Sequence, residues 1–447
     1  MTQLDRTKTI TFIILAGFIY SVILGIINTN KYDNYRILEN GNFEHSIIRT
    51  DISSYWRQAH KFKTDFEEGK NFFDSGTNYK DSYLYPKIIA SYYMLVDKDI
   101  ANLSGFMIVD NLKFGIPILN SLVFYLSLFF FSKKLLLIFK KPAIIYYTIF
   151  FLSLEPTLTQ YHSSYWSESL YLSLILIIFG LLLEPSKKIS LNFLIGILIG
   201  LSFLQRSVSL YLIIPVTIYY FFQFKKSFFI PLIACILGNL IIIFFLGYSN
   251  YIQNQKFTVT PDDHKDGPYY LLAHGLNGET IEQKYKKREI WIQENNINSK
   301  NKIDQKKILD YQSQYFKDAL KNNLSSFVII HLKKSTQAQI LNPFFVSNAY
   351  KQDKSVKNYW EKNFYLYKYK IPYSMLIYFF CFLGFVKIIL KNHHKRLLLL
   401  TFLFIIYYTG ILGWVGWNRY MVPNLIFLSI FFGLGLNTFI EYIKSKK

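Results

Sequence analysis

The stretch RTDISSYWRQAHKF, residues 49–62, sets an acid among aromatic side chains. Asp51, Tyr55 and Ala59 stand four apart, so a helix here would align them on one face, and the aromatics suit a membrane interface. Three further charges are embedded in apolar sequence: Glu168 in YWSESLYLSL, Arg206 in GLSFLQRSVSLYL and Arg419 in GWVGWNRYMVP. A carboxylate can accept a proton or bind a cation, and an arginine can hold an anion through two parallel hydrogen bonds. Simpler roles compete with this chemistry. Asp51 can cap the helix it opens, Glu168 lies in a first turn where the dipole favours an acid, and Arg206 at a helix C-terminus can snorkel to the surface. Arg419 has no such role. Near the N-terminus of its span it is opposed by the dipole and by the cytoplasmic bias of cations, a conflict that a bound anion resolves. Glu155, before Pro156, is a reserve acid expected in a surface loop. His162 lies near Glu168 in sequence but in no zinc-binding spacing, and the chain has no glycine-rich phosphate loop, Ser-His-Asp order or CxxC pair.

These residues must be held by membrane-spanning helices. The chain has 447 residues, 51% hydrophobic and 19% aromatic, and its apolar residues come in blocks close to the roughly 20 that cross a hydrocarbon core of about 30 Å. The expected fold is an all-α polytopic membrane protein with about ten transmembrane helices, within a range of 9–13. The spans fall near 10–28, 108–131, 142–155, 167–183, 190–204, 208–223, 228–247, 371–390, 397–414 and 421–441. The first exceeds the apolar core of a signal peptide and no small-residue cleavage site follows, so it is kept as a span.

Cations collect at every second junction: Arg6 and Lys8, Lys133 to Lys141, Lys187 and Lys188, Lys225 and Lys226, Lys391 to Arg396, and Lys444 to Lys447. The positive-inside rule places these junctions and both termini in the cytoplasm. Two long polar segments, 29–105 and 248–370, then lie outside. The organisation is an N-terminal transmembrane module, 1–247, that includes the external loop 29–105, then an external helical cap, 248–370, and C-terminal transmembrane helices, 371–447. Within the cap, Ile308, Tyr311, Tyr315, Ala319 and Asn322 follow helical spacing, and SSFVIIHLKKSTQAQIL reads as an interfacial helix. Cys235 and Cys381 lie inside apolar blocks, so no disulfide framework is expected. The net charge of +21 is distributed as a topology signal rather than as a nucleic-acid-binding face.

In order along the chain, Asp51-x-x-x-Tyr55-x-x-x-Ala59, the pair Tyr85-Pro86, Pro156 followed by Ser167-Glu168, the run Gly196, Gly200 and Arg206, and Arg419-Tyr420-x-x-Pro423 resemble motifs of the GT-C superfamily of polytopic glycosyltransferases. The similarity is to bacterial relatives of protein O-mannosyltransferases and of lipid A aminoarabinose transferases. Gln205 and Ser207 replace the family's usual threonine and proline around the arginine, and Asp51 stands alone where protein O-mannosyltransferases carry an Asp-Glu pair.

The resemblance implies a GT-C-like fold in a bacterial plasma (inner) membrane and transfer of a hexose or pentose on the external face. The donor would be a polyprenyl-phosphate sugar, and the acceptor a glycan, lipid or protein. Asp51 looks like the catalytic base and Glu168 its positioning partner, with Arg206 and Arg419 holding the donor phosphate. Tyr55, Tyr85, Trp166, Trp417 and Tyr420 would line the substrate region, although the tryptophans also suit plain interfacial anchoring. Some members hold a divalent cation, for which Asp51, Glu168 and His162 are the candidate ligands. Two other classes compete: a glycan ligase or polymerase using lipid pyrophosphate donors, and a lipid-linked sugar flippase or transporter. A transporter would carry polar residues at mid-span, whereas here they gather at the external span ends.

Overall fold

A computed structural model describes residues 3–32, 51–75, 82–96, 114–163, 165–254, 257, 259, 275–298, 302–329, 332–333, 370–391, 394–412 and 421–446. Every regular element among them is helical: α1 (Gln3–Tyr32), α2 (Asp51–Glu67), α3 (Leu84–Leu95), α4 (Gly115–Ile138), α5 (Pro142–Leu154), α6 (Pro156–His162), α7 (Glu168–Leu182), α8 (Ile189–Gln205), α9 (Ile213–Phe224), α10 (Phe229–Asn254), α11 (Ile281–Glu294), α12 (Lys302–Asn322), α13 (Lys370–Lys391), α14 (Lys395–Leu412) and α15 (Asn424–Ser445). A 3-10 turn, Ser207–Tyr211, joins α8 to α9.

Six described segments are long and apolar enough to cross a bilayer: Asp5–Ile26, Gly115–Ile138, Ser207–Ser227, Phe229–Ile252, Pro372–Leu390 and Asn424–Ser445. The helices α5, α7 and α8 are apolar but shorter. The 13 residues of α5 rise about 20 Å, less than a full hydrocarbon core. Each of the ten expected spans overlaps one of these helices or α14. Several boundaries differ: α1 starts at Gln3, α10 continues to Asn254, and α4 runs from Gly115 to Ile138, where 108–131 was expected. Lys133 and Lys134 therefore extend the helix instead of ending it. Lysine is a good helix former, and Lys134 carries its ammonium out to Glu184, 2.5 Å away.

In the core, α4 packs on α1 and α7, α5 on α1 and α15, and α13 on α15. Fully buried Leu128, Phe131, Ile149, Leu172, Ile175, Phe179 and Phe427 fill it. A second contact joins α8 to α10 through glycine. A Cβ on Gly196 would strike the carbonyl of Cys235, and one on Gly238 the carbonyl of Phe193. Small residues thus let two backbones close up where hydrophobic burial drives little association between helices in lipid. The Gly196 and Gly200 of the sequence motif serve helix packing. Side chains such as Leu126, Phe244 and Met375 point outward from the bundle, as lipid-facing residues must.

Of the two polar segments, α2 packs on α3, and α12 contains the helical spacing read over Ile308–Asn322, with Ile308 and Ala319 buried. Trp291 of α11 stacks on Tyr311 of α12 at 4.4 Å, and Thr280 and Gln283 form a capping box that starts α11. Residues 324–329 are helical, with Leu324, Val328 and Ile329 exposed. The rest of the stretch read as an interfacial helix lies outside the described residues, apart from Leu332 and Lys333.

Candidate functional site

Two of the charged residues singled out in sequence, Glu168 and Arg206, meet at one end of the bundle, where α7 begins and α8 ends. Glu168 is the first residue of α7, and Arg206 follows α8 in an extended conformation that turns its side chain back across the helix ends. Arg206 Nη1 lies 3.4 Å from Glu168 Oε1, and both side chains are 4% exposed. Arg206 therefore does not snorkel. A buried arginine needs a carboxylate, because an unpaired charge away from water costs several kcal/mol.

Ser167 connects the pair to the polar segment. Its hydroxyl is 2.9 Å from Tyr55 Oη, 3.3 Å from Glu168 Oε2 and 3.4 Å from Arg206 Nη1. Gln205 Nε2 donates to the Ser167 carbonyl at 2.9 Å. Tyr55 is fully buried on α2, one helical turn from Asp51, with which that helix begins. It meets Tyr85 of α3 edge to face, ring centroids 5.2 Å apart. Tyr85 Oη accepts from Asn120 Nδ2 at 2.9 Å, and burial, aided by the negative charge of Glu168, holds this phenol protonated far above its ordinary range. The backbone N–H of Tyr83 donates to the carbonyl of Leu204, hooking the start of α3 to the end of α8. So α2 is fixed onto the bundle by the bonds of Tyr55 to Ser167 and Arg206, and α3 by those of Tyr85 to Asn120 and of Tyr83 to Leu204.

His162 sits beneath this network, fully buried. It stacks on Phe124 at 3.5 Å, and its Nδ1 pairs with Ser169 Oγ at 2.9 Å. Ser169 in turn donates to the Asn120 carbonyl at 3.1 Å. Burial lowers the imidazole pKa far below its ordinary value, so the ring is neutral. As candidate metal ligands, the described members of the set fit poorly: Glu168 faces a guanidinium, His162 Nδ1 faces a serine, and no group of three His, Cys, Asp or Glu gathers among the described residues. The side chain of Asp51 lies outside the described residues.

Two expectations are corrected here. Glu155 is not in a surface loop. It is 2% exposed and caps α6, accepting from the Leu158 N–H at 2.9 Å, and Pro156 opens that helix at the position where a missing N–H costs nothing. Burial raises this carboxyl to about 8, against the pull of its hydrogen bonds to Leu158 and Thr157. Trp166, 5% exposed, packs against Tyr161 and so is not an interfacial anchor.

Arg419, Trp417 and Tyr420 lie outside the described residues, although the helices flanking them end beside the site. Tyr408 of α14 bonds Tyr171 of α7 at 2.6 Å, Ser209 donates to Tyr171 at 3.1 Å, and Tyr407 donates to the carbonyl of Val208. Asn424, first in α15, donates to Thr409 of α14 at 3.1 Å.

Sequence reasoning missed Asn120 and Lys87. An asparagine in an otherwise apolar span was the available signal for the first. Lys87, 4% exposed on α3, points its ammonium at the rings of Tyr83, Phe72 and Phe62, at 4.2, 4.5 and 4.8 Å, and donates to Tyr83 Oη and the carbonyl of Phe72. Among the described residues no carboxylate pairs with it, and burial lowers its pKa to about 7.

No known family model and no curated protein sequence matches the chain. Among solved structures it is similar to the archaeal oligosaccharyltransferase AglB from Archaeoglobus fulgidus in complex with an inhibitory peptide and a dolichol-phosphate, with a TM-score of 0.50 and 10% sequence identity. The match covers 96% of this chain and 50% of that one, so the chain spans about half the length of its structural neighbour. At that identity the likeness is one of fold: the described residues form a helical membrane bundle folded like that transferase.

Proposed function

We propose that the protein is a glycosyltransferase that moves a sugar from a polyprenyl-phosphate carrier to an acceptor hydroxyl by inverting single displacement. The observation that carries this reading is the buried Glu168–Arg206 pair, bonded through Ser167 to Tyr55 on the helix that starts at Asp51. An amphipathic polar helix bearing an acid is thereby locked against a charged pair at one end of an apolar bundle. A lipid phosphate would sit at that level of the membrane, with its polyprenyl tail among the helices. The AglB structure contains a dolichol-phosphate, which supports the donor class, whereas its inhibitory peptide is no guide to the acceptor here.

In this reading Asp51 removes the proton from the acceptor hydroxyl, the oxygen attacks the anomeric carbon from the face opposite the phosphate, and the phosphate departs with the bonding electron pair. Arg206, paired with Glu168, lends positive charge to the departing phosphate, and Arg419 supplies the second cation. This end faces outward, and the lysine-rich junctions and both termini face the cytoplasm.

The test is to incubate the purified protein with a panel of polyprenyl-phosphate sugars and identify the lipid consumed. Consumption of one donor with release of polyprenyl phosphate is the expected result. Movement of a lipid-linked sugar across vesicles with none consumed would instead assign transport.

A further inference from the structure

The opposite end of the bundle holds a cavity that the transfer reaction does not use. It has a volume of about 510 Å3 and opens where α4 turns into α5, against the last turns of α13 and α15 and beside His394. Sites for small ligands span about 300–1,000 Å3, so this one is large enough for a headgroup. Its charged lining consists of Lys140, Lys141, Lys387 and Glu441. Glu441 is already engaged, by Lys141 Nζ at 2.5 Å and by Asn437 Nδ2 at 3.0 Å. Three lysines against one carboxylate leave a net excess of two positive charges among these four groups.

The remainder of the lining is largely apolar, including Ile144 and Leu434. Leu137 and Leu390, one to three residues from lining positions, are 65% and 77% exposed on the outside of the bundle. A free phosphate would satisfy the lysines and leave the apolar wall wet. A molecule with an anionic head and acyl chains would satisfy both, and basic pockets between membrane helices are suited to such lipids.

We propose that this cavity binds the phosphate headgroup of an anionic phospholipid, its glycerol phosphate held by Lys140 and Lys387 and its acyl chains laid along the adjoining apolar helices. The full-length protein is incubated with equal amounts of phosphatidylglycerol and phosphatidylcholine, and the retained lipid is read by native mass spectrometry. Preferential retention of phosphatidylglycerol is expected. The double variant Lys140→Gln/Lys387→Gln should weaken it roughly tenfold or more, at about one kcal/mol per lysine. Lys187→Gln/Lys188→Gln, which removes two exposed lysines at the same end but outside the cavity, should leave it unchanged. Equal retention of the two lipids by the unaltered protein would overturn the proposal without recourse to any variant, as would equal losses in the two double variants. Thermal stabilisation by inorganic phosphate or glycerol 3-phosphate matching that by phosphatidylglycerol would assign the cavity to a soluble phosphate instead. Retained lipid is read independently of sugar transfer, so failure here leaves the glycosyltransferase reading intact, and the converse also holds.

Discussion

The two ends of the helical bundle handle charge in opposite ways. Where α7 begins, Glu168 and Arg206 face each other with side chains 4% exposed, and the serine, glutamine and tyrosine around them are buried with them. At the other end Lys141 and Glu441 pair at 2.5 Å with side chains 61% and 42% exposed. The second pair is shorter, yet it contributes less, since water screens both ions and holding two long side chains in place costs entropy. The first was moved out of water during folding, and each ion depends on the other to offset that cost. Separation is therefore a poor guide to importance in this molecule, and burial is the better one. A buried pair is also expensive to keep, which is a reason to connect it with function.

Breaking the buried pair should have the greatest effect. Arg206→Ala leaves Glu168 buried without its cation and is expected to cost about 3–5 kcal/mol, read as a lowered thermal midpoint in detergent, together with loss of transfer. Arg206→Lys should recover part of both, because it restores charge but not the planar fork.

Lys87 offers a test by pH. Held at about 7 against an ordinary value of 10.5, it binds fewer protons in the folded chain than in the unfolded chain between those values. Its stabilising contribution is thus complete above about 10.5 and is lost as the pH falls through 7, leaving a deficit on the order of a few kcal/mol in acid. Lys87→Met keeps the packing and removes the ammonium, so it should be more stable than the parent at pH 6, with the gap closing by pH 10. A constant gap across that range would mean that the aromatic cage stabilises the cation as well as water does.

Smaller effects should follow from single hydrogen bonds. Tyr55→Phe removes the hydroxyl shared with Ser167 and Arg206, and is expected to cost about 1–2 kcal/mol and to slow turnover more than it weakens donor binding. Glu441→Gln at the opposite end should change stability by less than about 1 kcal/mol. If Glu441→Gln matched Arg206→Ala in cost, the contrast between the two ends would fail.

Much of this was legible in the sequence. Block length and the spacing of lysine clusters located the helices, because bilayer thickness and the cost of placing cations in lipid act on sequence directly. Helical spacing likewise located α12. The convergence of Tyr55, Ser167, Glu168 and Arg206 was foreshadowed only by motif order, since residues more than a hundred positions apart leave no local signal of contact. Glu155 was misplaced because a proline after an acid ordinarily marks a surface turn, whereas here it starts a short buried helix. Lys87 was passed over because its cage is assembled from three separate parts of the chain: Phe62 on α2, Phe72 after it, and Tyr83 before α3.

The role of Asp51 decides between catalysis and architecture at the buried end. The measurement is the single-turnover transfer rate of Asp51→Asn, taken with donor affinity on the same preparation. If Asp51 is the base, the rate should fall by about 10²–10⁴ while donor affinity and thermal midpoint stay close to those of the parent, since the amide keeps the volume and cannot take the proton. Near-normal turnover would contradict its assignment as the base and leave Asp51 the cap of α2, a role that asparagine fills about equally well.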